Sequence, residues 1–133
     1  MATWRDVSRL ALALPEAEEG TAGHDRNRAW KVRRKLFVWE RPLRKSDLAA
    51  LGAAAPDGPI LGAKVEHLIA KEALLADKSG AFFTTPHFDG YPSVLIKLPE
   101  IGIELLEEVV TEAWLAVAPD RLAREFLAER GDP

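Results

Sequence analysis

The sequence predicts a two-layer α+β domain over residues 1–133, a mainly antiparallel sheet of five or six strands backed by helices. Apolar residues recur at helical spacing at both ends of the chain, and between them the period shortens to strand-like alternation broken by turn formers. The order is helix, three strands, two short helices around one strand, two strands, then two helices, which favours one antiparallel sheet with helices on one face. With 47% apolar and 29% charged residues in a chain of 133, size and composition suit a single soluble domain.

The first helix is expected from about Trp4 to Leu14. Thr3 and Asp6 have the spacing of a capping pair, Trp4, Val7, Leu10, Ala11 and Leu14 make an apolar stripe, and Pro15 ends the run. Strands follow near 17–22, 28–33 and 35–41, with turn formers at 23–27 and a tight turn at Arg33-Arg34 or Arg34-Lys35. Either turn gives the same parity, placing Trp30, Val32, Phe37 and Trp39 on one face and Lys31, Arg33, Leu36 and Val38 on the other. Ser46 reads as the cap of a short helix, PDGP at 56–59 as a loop, and Ile60 to Glu66 as a strand. A helix near Ala70 to Asp77 precedes strands around 81–85 and 93–98, separated by PHFDGYP. The stripe Ile103, Leu106, Val110, Ala113, Trp114 and Val117 then predicts a long amphipathic helix, and Pro119 suits the first turn of a last one ending near Glu129.

Several function classes are excluded by the alphabet. Without cysteine there is no disulfide framework, thiolate metal site or cysteine nucleophile. No apolar run is long enough to span a bilayer and the charged N-terminus is unlike a signal peptide, so the expected compartment is the cytoplasm. Phosphate-loop, dinucleotide, zinc-protease and serine-hydrolase motifs are all missing, and the three histidines are not tied to a nucleophile. The expectation is a non-catalytic protein without cofactor or metal.

The segments VRRKLFVW at 32–39, RPLRKSDLAAL, FFTTPHFDGYPSVLIKLP and ELLEEVVTEAWLAVAP resemble the MmcQ/YjbR family over nearly the whole chain. That resemblance implies helices over an antiparallel sheet in a double-wing arrangement, together with a DNA-binding role. One departure is the hairpin turn, where family members often carry Gly and this chain has Arg33 or Arg34.

Charge is the most informative feature of the residues themselves. Arg26, Arg28, Lys31, Arg33, Arg34, Lys35, Arg41, Arg44 and Lys45 are nine of the 18 Lys and Arg residues, and only Asp25 and Glu40 offset them within 24–45. The net charge is nevertheless −3, because the remaining chain is acidic. Cations spaced along a strand pair can match DNA phosphates and release counterions, so these nine residues are the candidate nucleic-acid contacts, with Arg33 and Arg34 at the tip. The competing reading is a solvated edge whose charges pair with Glu16, Glu18 and Glu19. Trp30, Phe37 and Trp39 could stack bases, although their shared parity argues for the core. His87 and Asp89 are too few for a metal site and read as loop residues; Glu104, Glu108 and Glu112 form a solvated helix face. The expected partner is therefore DNA, with no membrane role. The alternative is a protein-interaction module of the same fold, binding a partner or a second copy.

Overall fold

The computed structural model describes residues 2–131. Helix α1 (Trp4–Leu12) leads into β1 (Ala17–Ala22), β2 (Asn27–Val32) and β3 (Lys35–Glu40), followed by α2 (Lys45–Leu51), β4 (Ile60–Lys64) and α3 (Leu68–Leu75). The chain continues through β5 (Phe82–Phe83), β6 (Ser93–Lys97), α4 (Ile103–Val117) and α5 (Asp120–Glu129). All six strands join one open sheet in the order β1-β2-β3-β4-β6-β5, and every pairing is antiparallel. The α+β class with a six-stranded sheet is as the sequence predicts. Among the described residues no helix is long and apolar enough to cross a membrane.

The capping pair at Thr3 forms as expected: the Asp6 carboxylate accepts from the Thr3 N–H at 2.9 Å and the Thr3 hydroxyl accepts from the Asp6 N–H. Ser46 is not a cap. The cap lies two residues earlier, at Arg44, where Asp47 reaches back to the Arg44 N–H at 2.8 Å. Helix α3 starts two residues before the expected Ala70, capped by His67 through Nδ1, which accepts from the Ala70 N–H. Pro119 lies just before α5 instead of within its first turn, and the expected strand at 81–85 is reduced to two residues.

The main core lies between the sheet and α1, α3, α4 and α5. It is built on Val7, Trp30, Val32, Phe37, Val38, Leu61, Ile96, Leu106 and Trp114, with Leu74 and Phe126 packed against it. Both buried indoles find acceptors, Trp30 on Glu19 at 3.0 Å and Trp114 on the Pro15 carbonyl at 3.1 Å, so neither leaves an unpaired N–H. The other sheet face is only partly covered. A smaller cluster of Ile60, Phe88 and Leu95, with Trp39, Leu43 and Phe83 around it, sits there beneath α2 and the 3-10 turn at Pro86–Phe88.

The expected parity fails in the middle of β3. Trp30 pairs with Val38 but Lys31 pairs with Leu36, so Phe37 is an extra residue bulged out of register. A bulge of this kind turns two successive side chains to the same side. Phe37 and Val38 are accordingly both buried in the main core, and Trp39 is sent to the opposite face with Leu36. Val38 and Trp39 thus exchange the faces that uninterrupted alternation assigns them.

Candidate nucleic-acid interface

The structure separates the nine candidate cations into distinct groups. The β2–β3 turn falls at Arg33-Arg34, both with positive φ (49° and 70°), the form whose twist suits a two-residue hairpin even though neither residue is Gly. Arg33 folds back on Glu16, forming two hydrogen bonds, the Nη2 one at 2.9 Å. That contact holds the Glu16 carboxyl below the usual range and raises the Arg33 guanidinium. Arg34 and Lys35 remain exposed at the hairpin tip, Arg26 is exposed in the β1–β2 turn at φ 52°, and Arg44 and Lys45 are exposed at the start of α2.

Three of the nine do not belong to one positive surface. Arg28 lies on the helix-side face with its guanidinium 5.6 Å from the Trp4 ring. Arg41 is only 5% exposed and bridges Asp47 at 3.0 Å, with its guanidinium over the Phe88 ring at 5.3 Å. Burial disfavours the charged Asp47 carboxyl, but the Arg44 N–H and the Arg41 guanidinium outweigh it and lower its pKa. Arg33 is spoken for by Glu16, the pairing anticipated by the solvated-edge reading. Arg26 lies in a different turn from the tip, so its connection to Arg34 and Lys35 is through the surface of the hairpins rather than a single strand.

The open face adds two cations, Lys64 and Lys97, to the candidate Lys31. Lys31 on β2, Lys64 on β4 and Lys97 on β6 share it, since their cross-strand partners Leu36, Ser93 and Ile60 point the same way. Lys64 Nζ lies 5.6 Å from the Trp39 ring and Lys97 Nζ 6.0 Å from the Phe83 ring. Trp39 lies across Gly62. A Cβ on that glycine would sit 2.6 Å from Cζ2 and 2.9 Å from Cδ2 of the indole. The ring therefore rests directly on the sheet backbone, with Phe88 beside it at 6.5 Å.

Two adjoining depressions flank this indole and share Leu36, Trp39, His87 and Phe88. One, of about 280 Å³, is completed by Lys64, Tyr91 and Ser93. The second, of about 270 Å³, reaches Asn27, Glu40, Arg41 and Arg44. Their common wall is the 86–91 loop. Lys71 Nζ, buried on α3, donates to the Phe88 carbonyl at 2.7 Å and the Tyr91 carbonyl at 3.0 Å, and so ties that loop to the helix. Burial lowers the Lys71 pKa, and the Asp89 carboxylate partly restores it. His87 packs edge-on against Phe88 at 4.8 Å.

An antiparallel six-stranded sheet with helices chiefly on one face and lysines and aromatic rings on the other defines a small two-layer α+β domain. The family model described as YjbR matches residues 12–116, and the chain belongs to that family. It is 53% identical to the uncharacterized proteins Rv2570 of Mycobacterium tuberculosis and Mb2600 of Mycobacterium bovis, over 98% of this chain and all of theirs. Among solved structures, Deinococcus radiodurans protein DR2400, with its DUF419 domain, matches at a TM-score of 0.67 and 20% identity. That match covers 100% of this chain and 91% of the other. It supports the fold alone.

Proposed function

We propose that this protein binds DNA without catalysing a reaction on it, using the β2–β3 hairpin tip and the adjoining open face of the sheet. The observation that carries the reading is the position of Arg34 and Lys35. Arg34 projects from the two-residue turn and Lys35 opens β3 beside it; both are exposed, and neither forms an ion pair among the described residues. Lys31 extends the positive surface along β2 onto the open face, and Arg26, Arg44 and Lys45 lie around it as further exposed cations. Binding of this type is mainly to phosphates, tolerant of sequence and steeply salt-dependent.

The test is fluorescence anisotropy of a labelled duplex of about 20 base pairs across a salt series. Arg34→Asn with Lys35→Gln removes two cations while keeping a residue that accepts positive φ in the turn. Loss of two phosphate contacts reduces the magnitude of the log–log salt slope by about 1.8. Arg33 is left in place because reversing it would set two carboxylates against each other at Glu16. No binding at low salt refutes the proposal.

A second reading has its own observation. Between α3 and α4 an apolar groove of about 270 Å³ is lined by Val65, Ala70, Leu74, Leu105 and Val109 and rimmed by Glu66, Glu108 and Glu112. Ile69 beside it is 75% exposed. That chemistry suits a basic amphipathic segment of another protein, and titration with such a peptide measures it independently of DNA.

A further inference from the structure

The paired depressions beside Trp39 differ in character. The first is walled by the indole, Phe88, His87 and Tyr91, with Lys64 Nζ over the indole at 5.6 Å, a mix of rings and a mobile cation that suits a planar ring. Trp39 is pre-positioned by Gly62 below and Phe88 beside it, so little ordering is left for a ligand to impose. The second depression contains the two arginines. Arg41 is fixed by Asp47 through Nη1, yet its Nη2 is buried with no hydrogen-bond acceptor among the described residues. A buried guanidinium N–H left unmatched is costly, and an oxygen supplied by a ligand would satisfy it. Arg44, exposed on the rim, adds a second cation. Of the carboxylates nearby, Asp47 is paired with Arg41, while Glu40 on the wall accepts from the Arg28 N–H at 3.1 Å and keeps its charge.

We propose that these depressions together hold one unstacked nucleotide, its base against Trp39 and its phosphate at Arg44 and Arg41 Nη2. The combined site reaches the size of small-molecule pockets, roughly 300–1,000 Å³. It deepens the nucleic-acid reading and rests on it, but it uses different residues from the hairpin tip. A nucleotide can arrive as a unit of a single strand or as the free monophosphate, and the two are distinguished by measuring both.

The full chain is titrated with a labelled oligothymidylate of about eight residues by anisotropy, and with thymidine monophosphate and thymidine by calorimetry. The expected result is binding of the strand, the monophosphate or both, with thymidine weaker by about tenfold for want of the phosphate. Trp39→Leu and Arg44→Gln each weaken that binding by about tenfold. Arg44 is exposed, so its variant keeps the test valid even if Trp39→Leu does not fold. The Arg34→Asn/Lys35→Gln variant, impaired for duplex, binds the monophosphate like the unaltered protein. Strand binding alone assigns the site to single strands; monophosphate binding alone assigns it to free nucleotides. Binding of neither, or binding indifferent to both Trp39→Leu and Arg44→Gln, overturns the proposal. Duplex binding that persists in that case leaves the hairpin reading intact, whereas its absence as well removes both.

Discussion

Replacing Gly62 by Ala tests the seating of Trp39 on the open face. The added methyl would lie within 2.9 Å of Cε2, Cζ2 and Cδ2 of the indole, closer than nonbonded carbons approach, so the ring or the strand must move. Phe88 on one side and the sheet below restrict the ring, and overpacking of this kind costs about 1–3 kcal/mol. Against that, Ala is less flexible than Gly in the unfolded chain, which offsets about 0.4–1 kcal/mol at a backbone conformation both tolerate. The net expected loss is about 0–2.6 kcal/mol. Urea unfolding at neutral pH measures it as a lower midpoint with an unchanged slope. The decisive comparison is the same substitution made in a Trp39→Ala protein. With the indole gone the methyl meets open space, and Gly62→Ala becomes neutral or stabilising, giving a coupling energy of about 1–3 kcal/mol. An equal penalty in both backgrounds would refute the argument that Gly62 exists here to seat the indole.

Other substitutions probe separate contacts. Asp47→Ala strands the buried Arg41 guanidinium and removes the cap on the Arg44 N–H, so chemical unfolding should show a loss of about 3–5 kcal/mol. The same carboxyl sets an acid limit. Its folded pKa is depressed below the ordinary 3.8, so its contribution is complete above that value and is lost as pH falls through the folded pKa; an Asp47→Asn protein should lack this component in a pH series. Arg34→Gly relieves a positive φ at the turn without disturbing Arg33 and Glu16, and should raise stability by about 0.5–1 kcal/mol while weakening duplex binding. Lys71→Met removes two charge-assisted hydrogen bonds to the 86–91 loop; thermal melts should show a loss of about 1.5–3 kcal/mol, and hydrogen exchange should quicken in that loop.

Much of the fold is legible in the sequence because its signals are local. The Thr3 and Asp6 pair, the stripe of α4 and the alternation in β2 and β4 each state their element within a few residues. What local pattern did not give was the consequence of one inserted residue. The bulge at Phe37 depends on how β3 pairs with β2, a tertiary property, and it moves Trp39 from the expected core to the open face. With Trp39 misplaced, Lys64 and Lys97 had no reason to stand out. The signal available was Gly62: a glycine inside an apolar strand marks a place where another group comes close.

The charge reading was correct about where cations concentrate along the chain but could not separate their tasks. Arg41 and Arg33 look like their neighbours in sequence, and only the fold shows one neutralising Asp47 in the interior and the other holding Glu16. Arg28 likewise turns to the helix side and Trp4. Separation in sequence explains the difficulty, since Glu16 is in the loop before β1 and Asp47 lies beyond β3 in α2.

The proposed nucleic-acid contact spans the hairpin tip and the open face. Its most direct test is a titration of the isotopically labelled protein with a duplex of about 20 base pairs, followed by nuclear magnetic resonance. The backbone amides of Lys31, Arg34 and Lys35 and the side-chain N–H of Arg34 are expected to shift, the changes to weaken with salt, and the amides of α3 and α4 to stay still. Shifts confined to the α3–α4 groove, or none at low salt, would contradict it.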